Sequence, residues 1–120
     1  NPLAQYAIFD GGFNKKKVEI EFIQLYMKKI SELPKELFFH LLQIMHDHDV
    51  IGYLEEIRTH SLIVGGDKDK IIPNYLQRML TDKLPHAELY IVKDGSHVPQ
   101  ADFPDLLNKR MLRFLNKRYA

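Results

Sequence analysis

The stretch LIVGGDKDKIIP, residues 62–73, decides the fold, because a short apolar run ends there in two glycines and a charged turn. Leu62, Ile63 and Val64 form an uninterrupted apolar run, which is typical of a strand buried on both faces of a sheet. A similar stretch, LYIVKDGSHVPQ, follows at residues 89–100, and its polar turn carries a histidine. The sequence therefore ends an apolar strand in a polar turn twice.

Apolar residues recur at helical spacing after each of these strands. The first set predicts a helix that ends before Pro85, and it consists of Leu76, Met79, Leu80 and Leu84. The second set predicts a closing helix that begins near Pro104, and it consists of Leu106, Leu107, Met111, Leu112, Phe114 and Leu115. The order is β-α-β-α over residues 60–118. A helical crossover of this length joins two parallel strands by a right-handed connection, so we predict the α/β class.

Residues 1–58 carry a different, helical pattern. An amphipathic stripe predicts a first helix through Val18, Phe22, Ile23, Leu25, Tyr26, Ile30 and Leu33. Pro34 is expected to open a second helix, and Asp49 to cap a short third one. The lead-in through Lys17 has a Gly-Gly break and little periodicity, so we interpret it as loop. We therefore divide the chain into a helical segment, 1–58, and a β-α-β-α segment, 59–120.

Composition excludes several classes of function. The 120 residues make one domain's worth of chain or less, with 45% hydrophobic residues and a net charge of +1, so no long-range field attracts nucleic acid or an anionic membrane. No apolar run approaches the roughly 20 residues of a membrane helix. Two basic clusters are interpreted as solvated helix faces, and they are Lys15, Lys16 and Lys17, and Lys109, Arg110, Arg113, Lys117 and Arg118.

The absence of cysteine and of an opening signal peptide fits a reducing compartment, so we predict a cytoplasmic protein. The HDHD run at residues 46–49 could suggest a metal, but alternating residues at a helix end point in different directions. Capping and solvation explain that run better, and no metal or cofactor is expected.

Acidic residues and a histidine follow the two strands at the edge where open α/β sheets place functional loops. Asp67 and Asp69 follow the first strand, and Asp94, Ser96 and His97 follow the second. Neighbouring strands lie about 4.8 Å apart, so a carboxylate of one turn can reach an imidazole of the next. Such a pair supplies two parts of a nucleophilic triad. Ser96 is a poor nucleophile candidate because it adjoins His97 in sequence, and an aspartate such as Asp69 is by itself more often a turn former or a helix cap than a catalytic acid.

These motifs resemble the C-terminal part of α/β-hydrolases between residues 49 and 115. In YLEEIRTHSLIVGGDKDKIIP, an apolar strand, a glycine, two variable residues, an aspartate and a proline follow the family's order, and Asp69 occupies the place of the catalytic acid. In LPHAELYIVKDGSHVPQADFPDLLNKRMLRFL, His97 occupies the place of the catalytic histidine, with an acid and a proline after it. His60 departs from the proline that the family usually has before the strand.

The resemblance implies that residues 17–57 belong to the lid and that the two strands are the last of an eight-stranded sheet. The family's order is nucleophile, acid, histidine, yet the sequence contains no G-x-S-x-G. The chain also begins NPLA without methionine. We therefore expect a C-terminal piece of a longer hydrolase, inactive alone, whose nucleophile (serine, cysteine or aspartate) precedes it.

Two functions remain open. In the first, Asp69 and His97 serve a hydrolase that acts on a small-molecule substrate; ester, peptide, epoxide, haloalkane and acyl-transfer chemistry all remain possible. Phe22, Phe38 and Phe39 could line an acyl pocket or pack in a core. In the second, the chain is a self-standing binding or oligomerisation module without catalysis. In either case its apolar surfaces predict a homodimer or association with the missing N-terminal part.

Overall fold

The computed structural model describes residues 10–119, which form a two-stranded sheet with helices before, between and after its strands. The elements are α1 (Ile20–Ser31), α2 (Lys35–Asp47), a 3-10 helix (Ile51–Glu56), β1 (Ser61–Gly66), α3 (Asn74–Lys83), β2 (Ala87–Val92), α4 (Pro99–Asp102) and α5 (Pro104–Tyr119). No helix in this described range is long and apolar enough to cross a membrane.

The two strands are parallel, as predicted, and their register runs from Ser61 opposite Ala87 to Gly66 opposite Val92. Helix α3 makes the crossover between them, begins directly after Pro73 and ends before Pro85. The α/β class and the β-α-β-α order are therefore confirmed. The crossover brings the ends of both strands to one edge of the sheet.

The expectation that β1 is buried on both faces is wrong for most of the strand. Its first four residues are half-buried, and only Gly65 and Gly66 are buried. Within the described part of the chain β1 has β2 as its one neighbour, so its other edge and part of its surface stay uncovered.

Helix α5 is tied to β2 through Glu88. The guanidinium groups of Arg110 and Arg118 each donate to the Glu88 carboxylate at 2.7 Å, and the Lys117 ammonium donates at 3.2 Å. These hydrogen bonds, with that from Arg118 the strongest, lower the pKa of Glu88 to about 2. The interpretation of this basic cluster as a solvated helix face is therefore wrong for Arg110 and Arg118, which bind a carboxylate on the neighbouring strand.

The loop interpretation of the lead-in is wrong at residues 10–12, which are helical, and it lies outside the described residues at 1–9. Gly11 and Gly12 are the last two residues of this helical turn, and neither has a left-handed φ angle. After this turn Phe13, Val18 and Ile23 form a buried cluster with Val98, a residue of the loop after β2. The rings of Phe13 and Tyr26 pack edge to face with centroids 5.2 Å apart. The front segment, residues 10–31, therefore packs directly on the loop that follows β2.

Helix α2 begins one residue after Pro34, which occupies the cap position, and it contains no buried residue. Its exposed apolar side chains are Leu37, Phe39, Leu41, Leu42, Ile44 and Met45. The third predicted helix is a 3-10 helix whose cap position is occupied by Val50, so the prediction of Asp49 as the cap is wrong by one residue. The Asp49 carboxylate nevertheless accepts the Ile51 N–H at 3.0 Å. The division of the chain at residue 58 stays a prediction.

Candidate active site

The two turns that follow β1 and β2 are joined backbone to backbone. The N–H of Asp67 donates to the carbonyl of Val92 at 3.0 Å, and the N–H of Lys68 donates to the carbonyl of Gly95 at 2.9 Å. These bonds continue the ladder beyond the last strand pair, so the position of one turn fixes the position of the other.

Gly66 permits this close approach. A Cβ atom at Gly66 would lie 2.2 Å from the carbonyl oxygen of Gly95 and 2.3 Å from that of Ser96. Any larger residue would therefore push the second turn away from the first. The glycine that ends the first strand is needed for space, since its φ angle lies outside the left-handed region.

Asp69 and His97 meet across these turns. His97 Nδ1 lies 3.0 Å from Asp69 Oδ2, and the Asp69 side chain is only 5% exposed. The other carboxylate oxygen, Oδ1, accepts the backbone N–H groups of Ile71 at 2.8 Å and Ile72 at 2.9 Å. The carboxylate is thus held by its own turn and presents its free oxygen to the imidazole.

The carboxylate also selects the tautomer of His97. An ionised carboxylate only accepts hydrogen bonds, so Nδ1 carries the proton in this contact. In the neutral ring Nε2 is then unprotonated and can accept a proton from another group. A buried carboxylate on Nδ1–H also orients the ring and stabilises the imidazolium that forms after proton transfer. The pair has the geometry of an acid and a general base.

Two other sequence candidates do not join this pair. The Asp67 side chain is exposed and makes no hydrogen bond to His97 in the structure. Ser96 is 3% exposed, and its hydroxyl oxygen accepts the N–H of Val98 at 3.2 Å. Asp69, and not Asp67, therefore contacts His97, while the choice of Asp69 as the catalytic acid stays a prediction. The Ser96 hydroxyl is engaged in a turn.

Sequence reasoning missed two residues that hold the second turn, Asn14 and Asp102. The Asn14 side-chain amide donates to the carbonyl of Asp94 at 2.6 Å, and Asp94 has a left-handed backbone with φ 59°. The Asp102 carboxylate accepts the N–H of Ser96 at 2.6 Å. Asp102 is the acid that follows His97 in the α/β-hydrolase pattern, but the sequence indicated no role for it. No local pattern singled out Asn14.

The two acids of the HDHD run make local hydrogen bonds. Asp47 accepts the side-chain amide of Gln43 at 3.0 Å, and Asp49 accepts the Ile51 N–H. Across residues 10–119, no group of three or more histidine, cysteine, aspartate or glutamate side chains could hold a metal ion. Local hydrogen bonds therefore account for the contacts that Asp47 and Asp49 make.

Of the three phenylalanines with an open role, Phe22 lies apart from Phe38 and Phe39. Phe22 packs edge to face with Phe13 at 6.3 Å and lines a groove of about 300 Å³ that Gln100 and Asp102 also line. Phe38 and Phe39 contact each other at 5.9 Å on α2, where Phe39 is 67% exposed. Core packing does not account for Phe39, and the acyl-pocket role stays a prediction.

Comparison with known proteins shows which fold these features belong to. No family model matches the chain. The chain is 36% identical over 70 residues to a Rhizobium rhizogenes protein provisionally named carbamate hydrolase RutD; the match covers 58% of this chain and 27% of that protein. It is 26% identical over 109 residues to an Escherichia coli 2-hydroxy-6-oxononadienedioate/2-hydroxy-6-oxononatrienedioate hydrolase, covering 91% of this chain and 34% of that one.

Solved structures agree with these relatives. A Mycobacterium tuberculosis protein provisionally named non-heme bromoperoxidase BpoC superposes with a TM-score of 0.76 at 20% identity, covering 99% of this chain and 46% of that one. The α/β-hydrolase MGS-M2, from a deep-sea metagenome library, superposes with a TM-score of 0.65 at 24% identity, with 100% and 46% coverage. The chain has the fold of the C-terminal part of an α/β-hydrolase. It spans about a third or less of the curated relatives it matches and under half of the solved chains.

Proposed function

We propose that this chain supplies the acid and the histidine of a hydrolase that uses a nucleophile, a histidine and an acid. The observation that carries the proposal is the 3.0 Å contact between His97 Nδ1 and Asp69 Oδ2, with Asp69 Oδ1 held by two backbone N–H groups. The Rhizobium rhizogenes and Escherichia coli relatives are hydrolases by name, which supports hydrolysis as the reaction class.

In the proposed reaction, His97 Nε2 takes the proton from a serine or cysteine nucleophile as that group attacks the substrate carbonyl. The imidazolium then gives this proton to the leaving group, and in the second half-reaction His97 activates water in the same way. Where the nucleophile is an aspartate, His97 acts on the water alone. Asp69 keeps Nδ1 protonated and stabilises the cation in both halves.

The nucleophile and the oxyanion donors are proposed to come from a segment that precedes this chain in the whole protein. The resemblance puts the nucleophile ahead of the lid, and no serine hydroxyl in the described range bonds to His97. The chain alone is therefore proposed to be inactive, to act on a small molecule within the whole protein, and to reside in the cytoplasm. A clear burst of product from the 120-residue chain with an activated ester would contradict this.

The test uses the full-length protein and a panel of ester, amide, carbamate and carbon–carbon substrates. Replacing His97 by alanine should remove nearly all activity, and Asp69→Asn should cost about 10⁴-fold in kcat. Asp67→Asn is the matched control, since its side chain is exposed and two residues away, and it should cost far less. If the enzyme keeps its activity in Asp69→Asn and loses it in Asp67→Asn, the assignment of Asp69 as the catalytic acid is refuted.

A second function is favoured by a separate observation, the exposed apolar surface of α2. Phe39 is 67% and Met45 is 70% exposed, and these side chains lie on a helix without any buried residue. We propose that this face and the open edge of β1 associate with a second copy of the chain or with the preceding segment of the same protein. If the protein only binds, this association should persist, and the full-length protein should show no hydrolase activity that His97→Ala removes.

A further inference from the structure

The loop that carries His97 is held by a buried carboxylate that the proposed proton transfers do not use. Asp102 is 5% exposed, and its Oδ2 accepts the backbone N–H of Ser96 at 2.6 Å. Its Oδ1 accepts the backbone N–H of Asn14 at a longer 3.4 Å. A carboxylate is costly to bury unless hydrogen bonds compensate for lost hydration, so these two donors account for its tolerance at this place.

Asn14 reaches the other end of the same loop. Its side-chain Nδ2 donates to the carbonyl of Asp94 at 2.6 Å, while its Oδ1 accepts the N–H of Lys16 at 3.1 Å. The amide is therefore oriented by a bond on each side. Asn14 and Asp102 together bind the loop at Asp94 and at Ser96, and we call these two residues the Asn14–Asp102 clamp.

The clamp fixes the residues next to His97, which are more deeply buried than His97 itself. Ser96 is 3% exposed and bonded to Asp102, and Val98 is 7% exposed within the apolar cluster of Phe13. The His97 side chain, in contrast, is 36% exposed and is joined to the protein by the Asp69 contact. Its ring position therefore depends on the backbone that Ser96 and Val98 anchor.

Building on the proposed general-base role of His97, we infer that Asn14 and Asp102 are positioning residues that keep Nδ1 of His97 on Asp69. Their hydrogen bonds go to the backbone of Asp94 and Ser96 and not to the imidazole or the Asp69 carboxylate, so they act through the backbone of the loop. Loss of either should leave the fold intact and weaken the imidazole–carboxylate contact. A role in stability alone would lower the unfolding midpoint and leave that contact unchanged.

The test is nuclear magnetic resonance on the ¹⁵N-labelled 120-residue chain. The ¹⁵N shifts of the His97 ring report which nitrogen carries the proton, and exchange with water reports how long the Nδ1–H bond persists. His97→Ala assigns the His97 signals among the six histidines. In the unchanged chain we expect the Nδ1–H tautomer and a slowly exchanging Nδ1 proton.

Three substitutions separate positioning from packing. Asp102→Asn keeps the size but turns an NH₂ group toward a backbone donor, so Nδ1–H exchange should accelerate about 10- to 100-fold. Asp102→Glu should restore slow exchange, because the adjoining groove of about 300 Å³ has room for one methylene group. Asn14→Ala, at the loop's other end, should accelerate exchange in the same direction. Asp105→Asn, an exposed carboxylate three residues on, is the matched control and should change nothing.

The outcomes distinguish the two levels of the proposal. Absence of the Nδ1–H tautomer in the unchanged chain, when dispersed backbone amide signals show it to be folded, would overturn the proposed function. Its presence together with unaltered exchange in Asp102→Asn and Asn14→Ala would overturn the clamp and leave the proposed function standing. If Asp102→Asn unfolds the chain, Asn14→Ala decides, because its side chain is partly exposed and its removal spares the core. Unaltered exchange in that variant would again refute the clamp.

Discussion

The substitution Gly66→Ala, which adds one methyl group, should separate Asp69 from His97. The new Cβ would stand 2.2 Å from the Gly95 oxygen and 2.3 Å from the Ser96 oxygen, where real Cβ atoms keep at least about 3 Å. The second turn must therefore move away by about 1 Å, which takes the Nδ1–Oδ2 distance past the limit of a hydrogen bond. Both obstructing atoms are backbone, so no side-chain rotation relieves the clash.

The size of the effect follows from this displacement. Overpacking of this kind costs about 1–3 kcal/mol of folding free energy. A misplacement of about 1 Å in a catalytic group costs about 100-fold in rate, and we expect that loss of kcat in the full-length protein. In the 120-residue chain the same variant should lose the slowly exchanging Nδ1 proton of His97.

Two other glycines provide a graded control. A Cβ at Gly52 meets nothing within 4 Å, so Gly52→Ala should leave stability, rate and the His97 proton unchanged. A Cβ at Gly65 meets side-chain atoms of Asn74 at 3.0 Å and of Gln77 at 3.2 Å, which can move. Gly65→Ala should therefore lower stability while sparing the imidazole contact. If the Nδ1 proton of His97 exchanges as slowly in Gly66→Ala as in the wild type, the two turns accommodate the methyl group without separating Asp69 from His97, and the reasoning is refuted.

Three further predictions concern the acid, the ion-pair network and association. In the full-length protein Asp69→Asn should lower kcat about 10⁴-fold with Asp67→Asn close to wild type, by steady-state kinetics; the reverse ranking would contradict the assignment. Glu88→Gln should lower the urea midpoint at pH 6–7, because the ionised carboxylate is stabilised by its basic partners. Since the pKa of Glu88 falls from 4.5 to about 2 on folding, this advantage should shrink as pH drops between these values, while Glu55→Gln changes little. Sedimentation at micromolar concentration should find the isolated chain as a dimer or larger, weakened by Phe39→Lys, and a stable 14.1 kDa monomer would refute association.

The parts of the fold that the sequence predicted are those fixed by local pattern. The apolar run before Gly65 and Gly66, the prolines at 73 and 85 and the spacing of Leu76 and Leu80 determine where strands and helix lie. Parallel topology then brings Asp69 and His97 together without any knowledge of packing. Burial of β1 could not be predicted in this way, because it depends on neighbours and not on the strand's own residues.

Contacts between distant segments account for what the sequence left open. Arg110 and Arg118 looked like a solvated face, since nothing in α5 reveals that Glu88, 22 and 30 residues earlier, lies beneath them. Asn14 lies 80 residues from Asp94 and 88 from Asp102. The residues around Asn14 form no pattern that predicts a partner so far along the chain.

These distant contacts change the role of the front segment. Asn14 bonds the loop that carries His97, and Ile23 of α1 packs in the same cluster as Val98. If this segment served only as a cover, its residues would contact substrate and leave the loop alone. Because it instead holds both sides of His97, a displacement of α1 would shift Val98 and with it the imidazole. We therefore propose that the front of the chain also supports His97, and we expect changes in α1 to alter kcat even where they do not alter substrate binding.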